Sequence, residues 1–404
     1  MSRLARQLPS LPPSLRVSGR LARVLGAVFL FNLGVAAWSA VVAGHLAENG
    51  HTASLVGTLY AVSDFVRLPA AFLLPAVTLR FGTRRVTLVG LVGLLGLPLL
   101  LLPGDGTLRV MTLFVVSALP AMAIYVGLPS FVIGAAEPGR DGWALAWLGL
   151  AGGAGGGLGP FIGGMLADRY GLFPALLLLA LAGALLLPIV LPGRTPPPTP
   201  WQGWGAVMSA GSLPWRALAA LALASAADAG RAALVPTELV QSGLSLSQTG
   251  LLLGIAAALA GTGFLAFGRL VDRHSANRVV GAGLLVLVAG SFAAAVVASW
   301  SLGYAMAAAV LGMGASGVRL GAEVSLIGWL GRDRAGVAAA LGETTIVGGR
   351  MVGAPVVGAL GDARGGAYAF SAIGAAGLML GGVFALIAVD RLRRAAAVSP
   401  RLSS

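Results

Sequence analysis

The sequence predicts an all-α membrane protein, with twelve transmembrane helices arranged as two pseudo-symmetric six-helix bundles. Three observations carry that prediction. The composition is too poor in charge for a soluble surface, the chain divides into twelve apolar runs of membrane-spanning length, and paired motifs recur at an offset of 192 or 193 residues.

Hydrophobic residues make up 57% of the 404 and charged residues 10%. Soluble domains carry about 25% charge. A fold this size would have to expose apolar surface that lipid, but not water, solvates. No Cys is present, which excludes disulfides and thiolate metal sites. His45, His51 and His274 are scattered and give no metal-ligand spacing. Neither a metal nor a cofactor is therefore expected. All 27 basic residues are Arg, and the net charge is +13. In a soluble protein that surplus would point to nucleic acid. In a membrane protein it marks one face, so the expected partner is the lipid bilayer and not nucleic acid.

A bilayer core of about 30 Å takes about 20 apolar residues as a helix. Runs of this kind place spans at 24–46, 54–78, 86–103, 110–135, 143–166 and 172–192 in the first half. Those of the second half lie at 217–239, 248–270, 279–299, 303–330, 336–360 and 367–389. The arginines then sort by side. Arg109, Arg169 and Arg364 fall on one side, Arg67, Arg231, Arg319 and Arg350 lie within spans, and the other 20 fall on the side of both termini. By the positive-inside rule that side is cytoplasmic. The expected protein is multi-pass and integral to the plasma membrane. Its N-terminal tail is 1–23, its bundles are 24–192 and 217–390, and its C-terminal tail is 391–404. The Arg-rich tail reads as a topology anchor rather than a transit peptide. Residues 193–216 read as a cytoplasmic linker: Pro196 to Pro198 stop the preceding helix, and Trp201, Trp204 and Trp215 suit the headgroup layer.

The two halves carry matching segments. Pro75 to Arg85 follows the second span, with Arg80, Gly82 and Arg84; Gly268 to Arg278 follows the eighth, with Asp272 and Arg273. Gly139-Arg140-Asp141 precedes the fifth span and Gly331-Arg332-Asp333 the eleventh. Gly159-Pro160 and Gly163 lead to Asp168, as Gly353, Pro355 and Gly358 lead to Asp362. Shared features at a near-constant offset indicate duplication of a six-helix unit, an arrangement that places a binding site between the repeats near the midplane.

These residues resemble the major facilitator superfamily. Gly268 to Arg278 is similar to that family's cytoplasmic loop motif, with Ser275 for its second Gly; the first copy has Pro75 and Leu79 for the motif's Gly and Asp. The run Gly155, Gly159, Pro160, Gly163 and Gly164 is similar to the span-five motif of drug and proton antiporters. The span-four Arg common in proton-coupled members is absent. The resemblance implies a secondary transporter rather than an enzyme, a small-molecule substrate, alternating access and a monomer. It further implies proton-coupled efflux, with proton-coupled import of a polar or anionic solute as the alternative.

The glycines of the fifth span let helix backbones approach closely, as a rocking contact or as plain packing. Gly312-Met-Gly314-Ala-Ser316-Gly317 fits a dinucleotide loop or a membrane serine protease on paper. It has no preceding strand, and no His sits at the centre of a span.

Eight charges lie inside predicted spans: Asp64 and Arg67 in the second, Asp228 and Arg231 in the seventh, Arg319 and Glu323 in the tenth, Glu343 and Arg350 in the eleventh. Each costs at least about 2.5–3.5 kcal/mol at the bilayer centre. Three couples are spaced i,i+3 or i,i+4 and share a helix face; Glu343 and Arg350 lie two turns apart. Structural ion pairing accounts for any one couple, whereas four costly couples together favour function. Spans one, four, seven and ten line the cavity in the family resembled. That favours Asp228, Arg231, Arg319 and Glu323 as substrate or coupling residues, with Asp228 or Glu323 taking the proton. Asn32 and Tyr60 are further candidates that core packing also explains.

Overall fold

The structure, a computed structural model, describes residues 19–101, 106–135, 141–174, 177–179, 181, 214–331 and 335–398. The described chain is helical with no strand. A backbone in lipid must satisfy its polar groups internally, and a helix does so within each segment.

Five long helices are described in the first half: α1 (Gly19–Glu48), α2 (Ala53–Phe81), α3 (Thr83–Leu101), α4 (Thr107–Ala135) and α5 (Asp141–Tyr170). Six follow in the second: α6 (Trp215–Gln241), α7 (Leu246–Arg273), α8 (Ala276–Val296), α9 (Ser301–Leu330), α10 (Ala335–Arg364) and α11 (Gly366–Val398). Helices α1 to α5 are the first five predicted spans, and α6 to α11 are the seventh to twelfth. The sixth span, 172–192, is helical at 172–174 and 177–179 and otherwise lies mostly outside the described residues, as do tail residues 1–18 and linker residues 193–213. Most helices overrun the predicted spans, whereas α8 stops at Val296, short of the predicted 299. α6 starts at Trp215, inside the expected linker, and α11 runs through the expected tail to Val398. By length and composition, eight of the described helices are apolar enough to cross a membrane.

Successive helices alternate in direction within each half, and α6 runs parallel to α1 and α5. One end of the bundle therefore carries the start of α1 and the finish of α11 (the terminal end), and the other carries the α1–α2 and α6–α7 turns (the far end). Each half has its own core. Phe31, Trp38, Leu91, Leu94 and Ile124 lead the first; Val235, Leu287, Leu311, Tyr304 and Phe370 lead the second.

The halves meet along two seams related by the repeat. In one, α5 packs on α7, with Gly153 against Gly261 and Gly164 against Leu246 and Ser247. In the other, α10 packs on α2, with Gly358 against Ala53 and Ser54. Both seams bring backbones into contact through glycines from mid-helix to the far end. There α7 starts in a capping box: the Ser245 side chain accepts from the Gln248 N–H, and the Gln248 side chain accepts from the Ser245 N–H.

At the terminal end the two loop motifs differ. Gly82 turns between α2 and α3 at φ +85°, a conformation that suits glycine. The corresponding Ser275 is extended, at φ −65° and ψ 142°, so this turn needs no left-handed residue and a serine fits. Arg80 stacks its guanidinium over Phe81, 5.5 Å from the ring centroid.

Candidate functional site

The intramembrane charges sort into three groups. The three closely spaced couples all form. Arg67 Nη1 lies 3.1 Å from Asp64 Oδ1, Arg231 Nη2 lies 2.7 Å from Asp228 Oδ1, and Arg319 Nε lies 2.8 Å from Glu323 Oε1. Glu343 and Arg350 do not pair with each other. Arg319 donates through Nη2 to Glu343 at 2.8 Å, so one guanidinium on α9 holds carboxylates from α9 and α10. Arg350 donates through Nε to Asp64 at 3.0 Å, which ties α10 to α2 across the halves. Asp64 is only 1% exposed and serves two guanidiniums. The first cluster thus carries a surplus negative charge and the second a surplus positive one, while Asp228 and Arg231 balance each other.

Two chambers lie among these groups. The larger, about 1110 Å³ counting the open space at its mouth, is lined by Val28, Asn32, Tyr125, Leu128, Leu148 and Ile327 together with Arg319, Glu323 and Glu343. The smaller, about 760 Å³ counted the same way, is lined by Ser225, Asp228, Arg231, Ser316, Arg319 and Arg350. Gly153, Phe264 and Arg319 line both, so these three form the partition. Helix directions put the larger chamber on the terminal-end side of Arg319 and the smaller one beyond it, near mid-helix. Arg319 is 40% exposed despite its two carboxylates, so it faces open space.

The other expected residues divide. Asn32 is at the site: it lines the larger chamber, donates to the Val28 carbonyl at 2.9 Å, and accepts from the Tyr125 hydroxyl at 3.4 Å. Tyr60 is not. It is buried in the first core, edge-on to Phe114 and hydrogen-bonded to the Ser39 hydroxyl. Asp64 and Arg67 line neither chamber and reach the site only through Arg350. Gly155 and Gly159 pack α5 on α1, while Pro160 and Gly164 pack it on α7; Gly163 rests on Ala37. Arg273 and Arg278 flank the α7–α8 turn, and Gly268 lies within α7, one helical turn past Phe264; none of the three lines a chamber. The Ser316 hydroxyl donates to the Gly312 carbonyl at 2.9 Å, as a helical serine does, which disposes of the protease pattern.

Sequence reasoning missed Tyr125, Phe264 and the fifth span's contribution to the wall. Tyr125 carried a weak signal, being a polar ring in the fourth span. Phe264 carried none, because an apolar ring in an apolar helix looks like core.

Two comparisons bear on this architecture. The family model described as Major Facilitator Superfamily matches residues 21–265 and 217–402. The chain belongs to the Major Facilitator Superfamily. No curated protein matches the sequence. Among solved structures, the human organic anion transporter MFSD10 (TETRAN) is similar, with a TM-score of 0.66 and 17% identity over 92% of this chain and 99% of that one. Identity that low speaks for the fold alone. As a Major Facilitator Superfamily member, the chain has the twelve-helix fold and is a multi-pass membrane transporter rather than an enzyme.

Proposed function

We propose that this protein is a proton-coupled secondary transporter of a small organic solute, with the solute bound in the two chambers between the halves. The observation that carries this reading is Arg319 held between Glu323 and Glu343 on the chamber wall. One cation cannot neutralise two carboxylates. The surplus negative charge sits about two helical turns inside α9 and α10, where an uncompensated charge is costly. A proton on Glu323 or Glu343 removes it and frees part of the Arg319 fork. Proton occupancy and solute binding then share one group, which is the minimal requirement for coupling. Closed seams at the far end and a chamber reaching the terminal end suit one of the two states of alternating access. The arginine tally makes the terminal end cytoplasmic.

The charge of the solute sets the direction of coupling. A cationic solute competes with the proton at Glu323 and Glu343, which gives antiport and efflux, the mode favoured by the resemblance of the fifth span to antiporters. An anionic solute binds alongside the proton, which gives symport and uptake. One observation favours the second mode: three guanidiniums face the smaller chamber against one carboxylate. The fold neighbour's description as an organic anion transporter agrees with it.

The test uses proteoliposomes with an imposed pH gradient and a fluorescent pH reporter inside. Solute movement that collapses the gradient supports proton coupling. Movement indifferent to the gradient in wild type, with the same rate in Glu343→Gln, removes it.

A further inference from the structure

The two chambers differ in what they offer a ligand. The larger is walled by apolar side chains, with carboxylates as its surplus charge. The smaller exposes Arg231, Arg319 and Arg350 and a single carboxylate, Asp228. The described bonds leave guanidinium capacity there. Arg350 uses only Nε, toward Asp64 on the far side of the seam. Arg231 spends Nε and Nη2 on one oxygen of Asp228, a doubled contact to a single acceptor. Asp64, already shared with Arg67, cannot balance Arg350 as well. The site is built and not incidental: three guanidiniums from α6, α9 and α10 converge at mid-helix depth, where charges are retained for a purpose. A planar guanidinium fork suits a carboxylate, sulfonate or phosphate head.

We propose that the smaller chamber is an anion seat. It takes the single-anion head of an amphiphilic organic solute between Arg350 and Arg231, while the solute's apolar body passes Phe264 into the larger chamber along Val28 and Leu148. This deepens the transport reading and rests on it. The order of the chambers fits an amphiphilic anion held along the cavity: the apolar shaft lies on the terminal-end side and the cationic seat at its floor. Asp228 acts as the resident anion. It occupies Arg231 when the seat is empty and competes with the solute head for it. Glu343, faced by Arg319 and Glu323 from α9 and lying across the chamber from Tyr125 of α4, stays outside the seat and remains available to the proton. An anion in the seat and a proton on Glu343 together leave the cavity with no net change in charge, so the two enter as partners.

The test is equilibrium binding to the purified full chain in detergent with three probes of one body: naphthalene-1-carboxylate, naphthalene-1-carboxamide and naphthalen-1-ylmethylammonium. The carboxylate should bind at least about tenfold tighter than the other two, and Arg350→Gln and Arg231→Gln should each remove that preference while leaving the carboxamide unchanged. Arg350→Gln also takes from Asp64 its partner across the seam, which lowers stability. Asp228→Asn keeps every guanidinium, frees Arg231, and should tighten carboxylate binding without affecting the carboxamide. The ammonium probe binding tightest, a carboxylate preference that survives both Arg variants, Asp228→Asn weakening the carboxylate, or no carboxylate binding up to about 10 mM would each overturn the seat. Transport in proteoliposomes keeps the two readings apart. A carboxylate preference with no pH-driven transport of that probe retains the seat and removes proton coupling. pH-driven transport of the ammonium probe retains coupling and removes the seat.

Discussion

The Asp362 carboxylate accepts the backbone N–H of Ser54 at 2.8 Å and that of Ala53 at 3.0 Å, so the end of α10 caps the start of α2 in the opposite half. Its repeat partner does the same on the other seam: Asp168 Oδ2 accepts the Ser247 N–H at 3.0 Å. A carboxylate at a helix N-terminus satisfies orphan donors and meets the positive end of the helix dipole. Both caps are at the far end and both cross between the halves, so opening that end breaks them together.

Neutralising the caps should therefore shift the conformational balance. An exposed charge at a helix N-terminus contributes about 0.3–1 kcal/mol. Asp168→Asn with Asp362→Asn should shift the equilibrium by up to about 2 kcal/mol, or up to about thirtyfold, toward a far-end-open state. The chain has no Cys, so Asn49→Cys and Ala363→Cys provide a unique pair for spin labels across one seam. A longer inter-label distance should become populated in the double Asn variant. An unchanged distance distribution would show that the glycine packing alone holds this end shut.

Asp64 should be the charge that the fold tolerates losing least. It is buried and holds Arg67 and Arg350 at once. Removing one partner of a buried pair strands the other at about 3–5 kcal/mol. Asp64→Ala should therefore lower Tm more than Asp228→Ala, whose carboxylate is better exposed. Adding Arg350→Gln to Asp64→Ala should recover part of the loss, because it removes one of the two stranded cations. A double variant no more stable than Asp64→Ala would deny the Asp64–Arg350 link an energetic role.

The part of this arrangement that could be read from the sequence is the part fixed by local geometry. Lipid demands long apolar helices, so the spans stand out, and helical spacing alone brings Asp64 to Arg67, Asp228 to Arg231 and Arg319 to Glu323. Contacts between helices leave no such trace. Nothing in the spacing says that Arg350 turns to Asp64, 286 residues away, or that Glu343 turns to Arg319. Asn32 and Tyr60 looked alike as lone polar residues in early spans. Only the rotation of each helix puts one on the chamber wall and the other in the core. Asp168 and Asp362 were visible as a repeated pair, but their partners are backbone N–H groups, which no side-chain pattern reveals.

Glu343→Gln should separate coupling from movement. The amide keeps the size and can still accept from Arg319, but it cannot take a proton. Counterflow between equal pools of solute on the two sides should continue, while accumulation driven by a pH gradient should fall to the level of a collapsed gradient. Glu323→Gln is the matched control, since it sits on the same guanidinium. If both single variants keep gradient-driven accumulation and the double variant loses it, the two carboxylates share one proton. If the double variant also keeps it, the proton binds elsewhere, with Asp228 the next carboxylate to examine.

The glycines of α5 make a graded prediction, because they face different neighbours. A Cβ on Gly153 would lie 2.6 Å from the Gly261 Cα, whereas a Cβ on Gly261 would lie 3.1 Å from the Gly153 Cα. A Cβ on Gly156 meets nothing within 4 Å. The first clash is against backbone and can be relieved only by separating α5 from α7, and overpacking of that kind costs about 1–3 kcal/mol. Gly153 also lines both chambers, so the displacement falls at the partition beside Phe264. Gly153→Ala should lower Tm and slow transport, and Gly261→Ala should do both to a smaller degree. Gly156→Ala should leave transport intact and gain up to about 1 kcal/mol from the lost backbone freedom of glycine in a helix. Thermal melts and initial transport rates on the three variants check the order. If Gly153→Ala and Gly156→Ala behaved alike, the α5–α7 seam would not be a tight contact in the working protein.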